Sequence, residues 1–425
     1  MSKSFCSLGL MSGTSMDGVD ASIIQSDGET EYRDILDKYF EYPKNIYNNL
    51  TKIRDKIKNQ EDLKEFSKEI TILEKDITLF HAEIVNKLAR ETKANIDLVG
   101  FHGQTIFHNA NEKISKQLGD GKLLSKLTKK TVIYDFRQND LKNGGQGAPL
   151  TPIFHNIIAN KINESYKIGF PISILNIGGI SNITTTTDKK NPKDFLLPNQ
   201  ISAYDIGPGN CLIDEWVRKK TKKKYDEDGL IAKSGNTDKL ILNKALKNLN
   251  VISYDKSLDT KDFDISFAKE LSLKDGASTL TDFTATLIAK GIRYSNGIGH
   301  PRLTKWLVCG GGRKNKYLMN AIINKGFNYL KISEHVNKKI EVEKNYDEWL
   351  DSAIITSNEH VVNQQLDDFK TISFESIDKY GIAGDFVESQ AFAYLAVRSY
   401  LKLPISFPST TGVKKPCLGG VICKS

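Results

Sequence analysis

Two short glycine-rich turns, each set between two apolar runs, constrain the fold of this 425-residue chain more than any other feature. The first lies between Leu8 and Ile24, and the second lies between Ile172 and Thr184. The apolar runs predict strands, so both segments are predicted to be hairpins. Glycine and small polar residues crowd both turns, and backbone N–H groups exposed there can bind an anion such as phosphate. We therefore expect two phosphate-binding turns, one in each half of the chain.

Neither turn matches a better-known phosphate motif. The chain has no G-x-x-x-x-G-K-[ST] string, and neither turn opens a helix as a dinucleotide-binding fingerprint must. The hypothesis is therefore a nucleotide held between two lobes by two hairpins.

Composition restricts the class of protein further. The length and a hydrophobic content of 39% predict a globular chain of two lobes. The net charge of +8 comes largely from dispersed lysines without a basic stripe interleaved with aromatics, so no nucleic-acid partner is expected. Five cysteines without a C-x-x-C pair favour a reducing cytoplasm over a disulfide framework or a zinc site. No apolar run is long enough for a membrane span or a signal peptide, so a cytoplasmic location without membrane contact is expected.

The remaining pattern alternates strand-like and helix-like segments, which is typical of an α/β fold. Strands are predicted at 33–40, 96–101, 131–136, 203–206 and 306–309, and helices at 63–88, 278–293, from about 315, and at 387–401. The segment 333–370 is interpreted as a surface insertion with a helical patch at 350–362. The end of the chain is predicted to be an extended tail that pairs with a sheet.

The first turn also carries a candidate metal ligand, Asp17. Its carboxylate can hold a magnesium ion through water while Gly13, Thr14 and Ser15 contact phosphate oxygens. An ordinary Asp-Gly hairpin turn explains Asp17 about equally well when that residue is taken alone. The whole string GTSMDGVD favours the functional interpretation.

Asp205 is the candidate general base. It follows a short apolar strand and precedes a Gly-Pro-Gly turn, and a carboxylate at the end of a buried strand is costly unless it is paired or reactive. Its alternative role is to cap the next helix, although Asn210 already suits that role.

A group of polar side chains after two other strands suits a polyhydroxylated substrate. His102 and His108 are predicted to flank a Gly-Gln-Thr turn, and Asp135, Arg137 and Asp140 form an acceptor–donor–acceptor set that fits sugar hydroxyls and a carboxylate. A structural salt-bridge network and satisfied core histidines remain the alternatives.

Taken together, these segments resemble the anhydro-N-acetylmuramic acid kinase family of the actin-like, sugar-kinase superfamily. The strings that carry the resemblance are GLMSGTSMDGVD, FHGQTIFH, DFRQND, GGQGAPLTP, NIGGISNIT, AYDIGPGNCLID, CGGGRKN, GDFVESQAFAYLA and FPSTTG. The resemblance implies a two-lobed, duplicated ribonuclease H-like fold with a nucleotide cleft between the lobes. It also implies an ATP- and Mg²⁺-dependent enzyme of peptidoglycan recycling, which opens the 1,6-anhydro bond of anhydro-N-acetylmuramic acid with water and phosphorylates O6. The products are N-acetylmuramate 6-phosphate and ADP.

The resemblance also assigns residues to roles. It implies Asp205 as the base and Glu388 in the sugar site, beside the sugar candidates His102, Gln104, Asp135 and Arg137. The residues implied to bind ATP are Gly13, Thr14, Ser15, Met16, Asp17, Gly18, Val19, Asp20, Gly178, Gly179, Asn182, Gly310, Gly311, Gly312 and Asn315. Asp17 is the metal candidate among them.

The expected lobes are 1–150 joined by the tail 403–425, and 151–402. The string KSLDTKDFD at 256–264 departs from the family pattern Lys-Ser-Thr-Gly-Arg-Glu and leaves the sugar contacts there open. Two other functions stay open at this point, an ordinary hexose or hexosamine kinase and a non-catalytic nucleotide-binding actin-like protein. A homodimer also stays open.

Overall fold

The computed structural model describes residues 3–92, 95–187, 200–249, 253–297, 305–330, 352–356 and 371–424. For 296–297, 327–330, 352–356 and 371–372 it describes the backbone alone. The chain forms two compact units, one of Met1–Lys161 with Phe386–Ser425 and one of Ile162–Asp385.

The strands, in chain order, fall into two sheets. They are β1 (Phe5–Ser12), β2 (Gly18–Ser26), β3 (Tyr32–Glu41), β4 (Leu98–Asn109), β5 (Ile114–Leu118), β6 (Thr131–Tyr134), β7 (Ile172–Ile177), β8 (Ile180–Thr186), β9 (Ile201–Pro208), β10 (Lys305–Cys309), β11 (Ser352–Thr356), β12 (Thr371–Ser376) and β13 (Val421–Cys423). The first sheet has the order β13-β6-β4-β1-β2-β3, with β5 beside β4, and the second has the order β11-β12-β10-β7-β8-β9.

The two sheets repeat one topology. In each, an antiparallel three-strand meander, β1-β2-β3 or β7-β8-β9, continues into two strands parallel to its first strand. These are β4 and β6 in the first sheet and β10 and β12 in the second. Both predicted hairpins are confirmed, and their turns lie at the carboxyl ends of β1 and β7. The predicted pairing of the tail is also confirmed, because β13 pairs with β6.

The helices have the following bounds: α1 (Lys44–Lys56), α2 (Gln60–Glu65), α3 (Ser67–Thr92), α4 (Gly121–Thr128), α5 (Gln138–Lys142), α6 (Pro152–Tyr166), α7 (Cys211–Lys220), α8 (Leu230–Lys233), α9 (Lys239–Asn248), α10 (Leu273–Gly297), α11 (Lys316–Leu330), α12 (Val387–Tyr400) and α13 (Pro408–Thr411). In α3 the stripe Ile70, Leu73, Ile77, Ile84 and Leu88 is buried, as its spacing predicts. Helices α10 and α11 pack against each other and contribute to the core of the second unit. None of the helices described is both long and apolar enough to cross a membrane.

Helix α12 belongs to the first unit, because it packs on β1, β2 and β4. The lobe boundaries predicted from the sequence are wrong for this helix. Glycines in the two central strands make this packing possible. A Cβ at Gly9 would collide with the Ser389 carbonyl oxygen, and one at Gly100 with the Phe392 carbonyl oxygen. The sequence placed 387–402 in the second lobe because chain order alone does not show which sheet a helix covers.

Three local predictions are wrong. His102 and His108 do not flank a turn, because β4 runs through both and the irregularity is absorbed at Gly103, whose φ is +74°. The helical stripe at 63–88 is interrupted at Phe66, the C-cap of α2, which is a separate short helix with its own N-terminal capping box at Asn59 and Asp62. Residues 352–356 form strand β11 instead of part of a helix, and the rest of the predicted insertion up to residue 370 lies outside the described residues.

Candidate active site

The turn between β1 and β2 has the open form that a phosphate-binding turn needs. Thr14 and Ser15 are exposed and the Ser15 hydroxyl donates to the Asp17 carboxylate. Met16 has a φ of +58° and buries its side chain, which fixes the turn to the core. A Cβ at Gly13 would meet only Ser15 Oγ, at 3.8 Å. The fold therefore does not require glycine here, and the missing side chain leaves room for a ligand.

Two residues from other parts of the first unit, Tyr42 and Gln104, hold this turn at both ends. The Tyr42 hydroxyl lies 2.8 Å from Ser12 Oγ, and the Tyr42 N–H donates to the Asp17 carbonyl at 2.8 Å. Gln104 Nε2 donates to the Gly13 carbonyl at 2.9 Å. Gln104 Oε1 is buried and has no hydrogen-bond partner among the residues described. Gln104 thus orients the turn through the Gly13 carbonyl group, whereas no motif predicted the contribution of Tyr42.

His81 is a second residue behind this turn that sequence reasoning missed. Its Nε2 lies 3.4 Å from Ser12 Oγ and its Nδ1 lies 2.8 Å from the Ile77 carbonyl oxygen. Burial lowers the pKa of His81 to about 4, so the ring is neutral near pH 7. It packs against Phe101 and supports the strand end without adding charge.

The turn between β7 and β8 is equally open. A Cβ at Gly178 would meet only the Ile180 carbonyl oxygen, at 3.5 Å. The carbonyl groups of Gly178 and Gly179 accept hydrogen bonds from the N–H groups of Asn210 and Gly209, both at 2.8 Å. The turn is thereby joined to the segment that begins α7.

Asp205 lies on β9, in the same unit as the turn between β7 and β8. The strand continues to Pro208, so Asp205 is not at a strand end as the sequence suggested. Its residue is only 5% exposed, and its Oδ2 accepts a hydrogen bond from the Leu258 N–H at 2.9 Å. Asn182 is its partner on β8, and Asn182 Oδ1 is buried without a hydrogen-bond partner in the described part of the chain. A carboxylate and an unsatisfied amide oxygen thus lie on adjacent strands.

The segment that departs from the family pattern supplies this contact to Asp205. Its residues Thr260–Asp262 form a 3₁₀ turn with a capping box made by Asp259 and Asp262. Phe263 behind the turn is buried in the core of the second unit. The altered sequence therefore still builds an ordered segment whose backbone reaches the candidate base.

The third glycine turn, Gly310–Gly312, follows β10. Gly310 has a φ of +80°, and a Cβ there would press on Asn176 Oδ1 and the Ile177 carbonyl oxygen. By contrast, a Cβ at Gly311 would meet only Asn210 Nδ2, at 4.0 Å. The turn is thus packed against β7 at Gly310 and open at Gly311. Asn315 Oδ1 accepts from the Leu318 N–H at 3.0 Å, so this side chain caps α11.

The sugar candidates of the first unit lie along β4 and just after β6. Because Arg137 can only donate, His102 Nε2 accepts its hydrogen bond at 2.9 Å, and His102 Nδ1 donates to the Gly103 carbonyl at 2.7 Å. Burial and the neighbouring Arg137 lower the pKa of His102 well below its usual range. Both ring nitrogens have protein partners, so His102 orients Arg137. Asp135 is half-buried, with a φ of +54°, and Glu388 is half-buried in the first turn of α12.

Asp140 is not a sugar ligand but the centre of a buried network. Its carboxylate accepts from the Gly147 N–H at 2.7 Å, from Ser406 Oγ at 2.5 Å and from Thr411 Oγ1 at 2.6 Å. The Gly147 carbonyl in turn accepts from Arg137 at 2.8 Å. Asp140 therefore joins the DFRQND, GGQGAP and FPSTTG segments behind Arg137.

We expect Asp140→Asn to lower the free energy of unfolding by about 2 kcal/mol, because an amide cannot accept from all three donors and leaves one of them buried and unpaired. Thermal or urea unfolding measures the effect. Asp120→Asn is the matched control, since Asp120 caps α4 and asparagine caps equally well. Equal stability of the two variants would contradict the assigned role of Asp140.

The described residues contain no cluster of three or more His, Cys, Asp and Glu side chains that could hold a metal ion. A divalent cation bound beside a phosphate chain shares its coordination between phosphate oxygens and a protein carboxylate. Asp17, with its neighbour Ser15, is the carboxylate next to an open glycine turn that fits such a shared site.

The repeated sheet topology, with a glycine turn after the first strand of each sheet, defines the duplicated ribonuclease H-like fold of actin-like ATPases and sugar kinases. A family model described as anhydro-N-acetylmuramic acid kinase matches residues 6–356 and 355–425. The chain belongs to the anhydro-N-acetylmuramic acid kinase family, a family of enzymes.

Curated relatives agree with this placement over their whole lengths. The anhydro-N-acetylmuramic acid kinase of Pelagibacter ubique is 50% identical over 427 residues, which cover 100% of each chain. The proteins of that name from Methylorubrum populi and Agrobacterium fabrum are 33% and 32% identical, each over 98% of both chains.

Proposed function

We propose that this chain uses ATP and water to convert 1,6-anhydro-N-acetylmuramic acid into N-acetylmuramate 6-phosphate and ADP, as a step of peptidoglycan recycling. The observation that carries the proposal is Asp205, a buried carboxylate held by the Leu258 N–H beside the unsatisfied Asn182 and in the same unit as two open glycine turns. Burying a carboxylate is costly, and a general base is a role that explains why one is kept at this position.

The roles of the residues follow from this arrangement. Asp205 accepts a proton from the water that attacks the anomeric carbon, and O6, the oxygen released from the bridge, is phosphorylated by ATP. Backbone N–H groups at the Gly13 and Gly178 turns bind the phosphate chain, so no lysine-bearing loop is needed. Arg137, fixed by His102 and the Gly147 carbonyl, supplies a cation suited to the carboxylate of the sugar's lactyl group. Glu388 supplies an acceptor for a sugar hydroxyl.

Magnesium fits beside Asp17. When bound, Mg²⁺ would neutralise charge on the phosphate chain, with Asp17 as its protein ligand, directly or through water. A cytoplasmic location suits an ATP-dependent enzyme whose five cysteines are free thiols.

Sugar-dependent ADP release tests the proposal. We expect ADP to form with anhydro-N-acetylmuramic acid and Mg²⁺, with little formed when the sugar is omitted or replaced by glucose or N-acetylglucosamine. Equal turnover with glucose would indicate an ordinary hexose kinase instead. Nucleotide binding without any sugar-dependent ADP release would indicate a non-catalytic actin-like protein.

A further inference from the structure

A buried arginine follows the third glycine turn directly. Arg313 is 5% exposed, and its guanidinium binds two carboxylates of the second unit. Its Nε and NH2 atoms lie 2.5 and 3.0 Å from the two carboxylate oxygens of Asp378, and its NH1 lies 2.6 Å from Asp385 Oδ1. These three hydrogen bonds use both edges of the planar guanidinium, a geometry that lysine cannot reproduce.

The same guanidinium also holds the turn itself. Arg313 NH1 donates to the Gly310 carbonyl at 3.0 Å, while the Gly310 N–H donates to the Gly384 carbonyl at 2.9 Å. The Gly384 N–H donates to Asp378 Oδ1 at 3.0 Å, which closes the network. Both backbone groups of Gly310 are therefore fixed by the segment that contains Asp378 and Asp385.

The sheet explains why these groups meet. Strands β10 and β12 are parallel neighbours, so the turn after β10 and the segment after β12 leave the sheet at the same edge. Burial raises the pKa of Asp378, but hydrogen bonds from Arg313, Ser376 and the Gly384 N–H outweigh it and hold that pKa at about 2. The network is therefore fully charged near pH 7.

We propose that Arg313 is a positioning residue for nucleotide binding. It fixes the three consecutive glycines of the turn in one conformation, with the Gly311 side open to the nucleotide. Three glycines in a row would otherwise lose much conformational entropy when a ligand bound, and a turn ordered beforehand avoids that loss. The inference rests on the proposed function in assigning this turn to the nucleotide.

The test compares nucleotide and sugar binding in Arg313→Ala and Arg313→Lys. We expect Arg313→Ala to weaken ADP binding, measured by calorimetry, by about tenfold or more, with the same rise in KM for ATP and a much smaller change in KM for the sugar. Arg313→Lys restores the charge but not the fork and should recover only part of the affinity. Lys314→Ala is the matched control, because it removes an exposed ion pair to the same Asp385 and should bind ADP normally.

Unchanged ADP affinity in folded Arg313→Ala would overturn the proposal, and so would an equal rise of both KM values, which a merely structural role predicts. If Arg313→Ala does not fold, Asp385→Asn replaces it, because this change weakens the hydrogen bond between Arg313 and Asp385. The same comparison of ADP affinity and KM for ATP with KM for the sugar then tests the proposal. The calorimetric titration needs no sugar, whereas the proposed function is judged by turnover of the wild-type chain. The two failures are therefore distinguishable.

Discussion

Asp205→Asn should lower turnover by roughly three orders of magnitude or more while the protein stays folded and binds nucleotide. The amide keeps the size and one acceptor of the carboxylate, so the hydrogen bond from the Leu258 N–H can persist. It cannot take a proton from water, however, and the attack on the anomeric carbon loses its base. The large effect follows because the nucleophile is water, which is a poor nucleophile until it is deprotonated.

Steady-state ADP release and ADP calorimetry on the same preparation measure both halves of this prediction. Glu270→Gln is the control, since Glu270 is an exposed carboxylate of the same unit whose ion pair is with the neighbouring Lys269. Its turnover should equal that of the wild type. If Asp205→Asn kept more than about a tenth of wild-type turnover, Asp205 could not be the base.

Gly13→Val and Gly178→Val should each weaken ATP binding by about a hundredfold or more and change sugar binding far less. Neither glycine is at a positive φ, and a Cβ at either meets protein atoms only at ordinary van der Waals distances of 3.8 and 3.5 Å. The variants should therefore fold normally, and the added carbon atoms should instead occupy the space of the phosphate chain.

Calorimetry with ATP and, separately, with the sugar tests this prediction. Gly326→Ala is the control, because Gly326 lies in α11 with Phe374 4.0 Å from the position of a Cβ, and it should bind ATP normally. Wild-type ATP affinity in both valine variants would rule out phosphate binding at these two turns.

Local patterns were enough to predict the hairpins. The apolar runs around Gly13 and Gly178 specify strands, and the small polar residues between them specify turns, so both β1-β2 and β7-β8 were expected. Strand β4 was predicted too short, because the polar string HGQTIFH suggests a loop when its pairing with β5 is unknown. Burial in a sheet overrides local polarity there.

Long-range contacts could not be predicted. Tyr42 and His81 lie in no recognised string, and Leu258 lies in the string that departs from the family pattern. Each acts through one or two hydrogen bonds to residues far away along the chain. Asp140 was grouped with the sugar ligands because its partners Ser406 and Thr411 are more than 250 positions away. Arg313 lies within a recognised string, but only the parallel neighbours β10 and β12 bring its carboxylate partners to it.

The most direct test of the account is the mass of the sugar product formed in water enriched in heavy oxygen. The account predicts that the product gains one phosphoryl group and one water, and that the heavy oxygen is at the anomeric carbon, where water replaces the bridge oxygen that remains as O6. A product that gained a phosphoryl group without water, with the anhydro bridge intact, would contradict hydrolytic opening and would support an ordinary hydroxyl kinase.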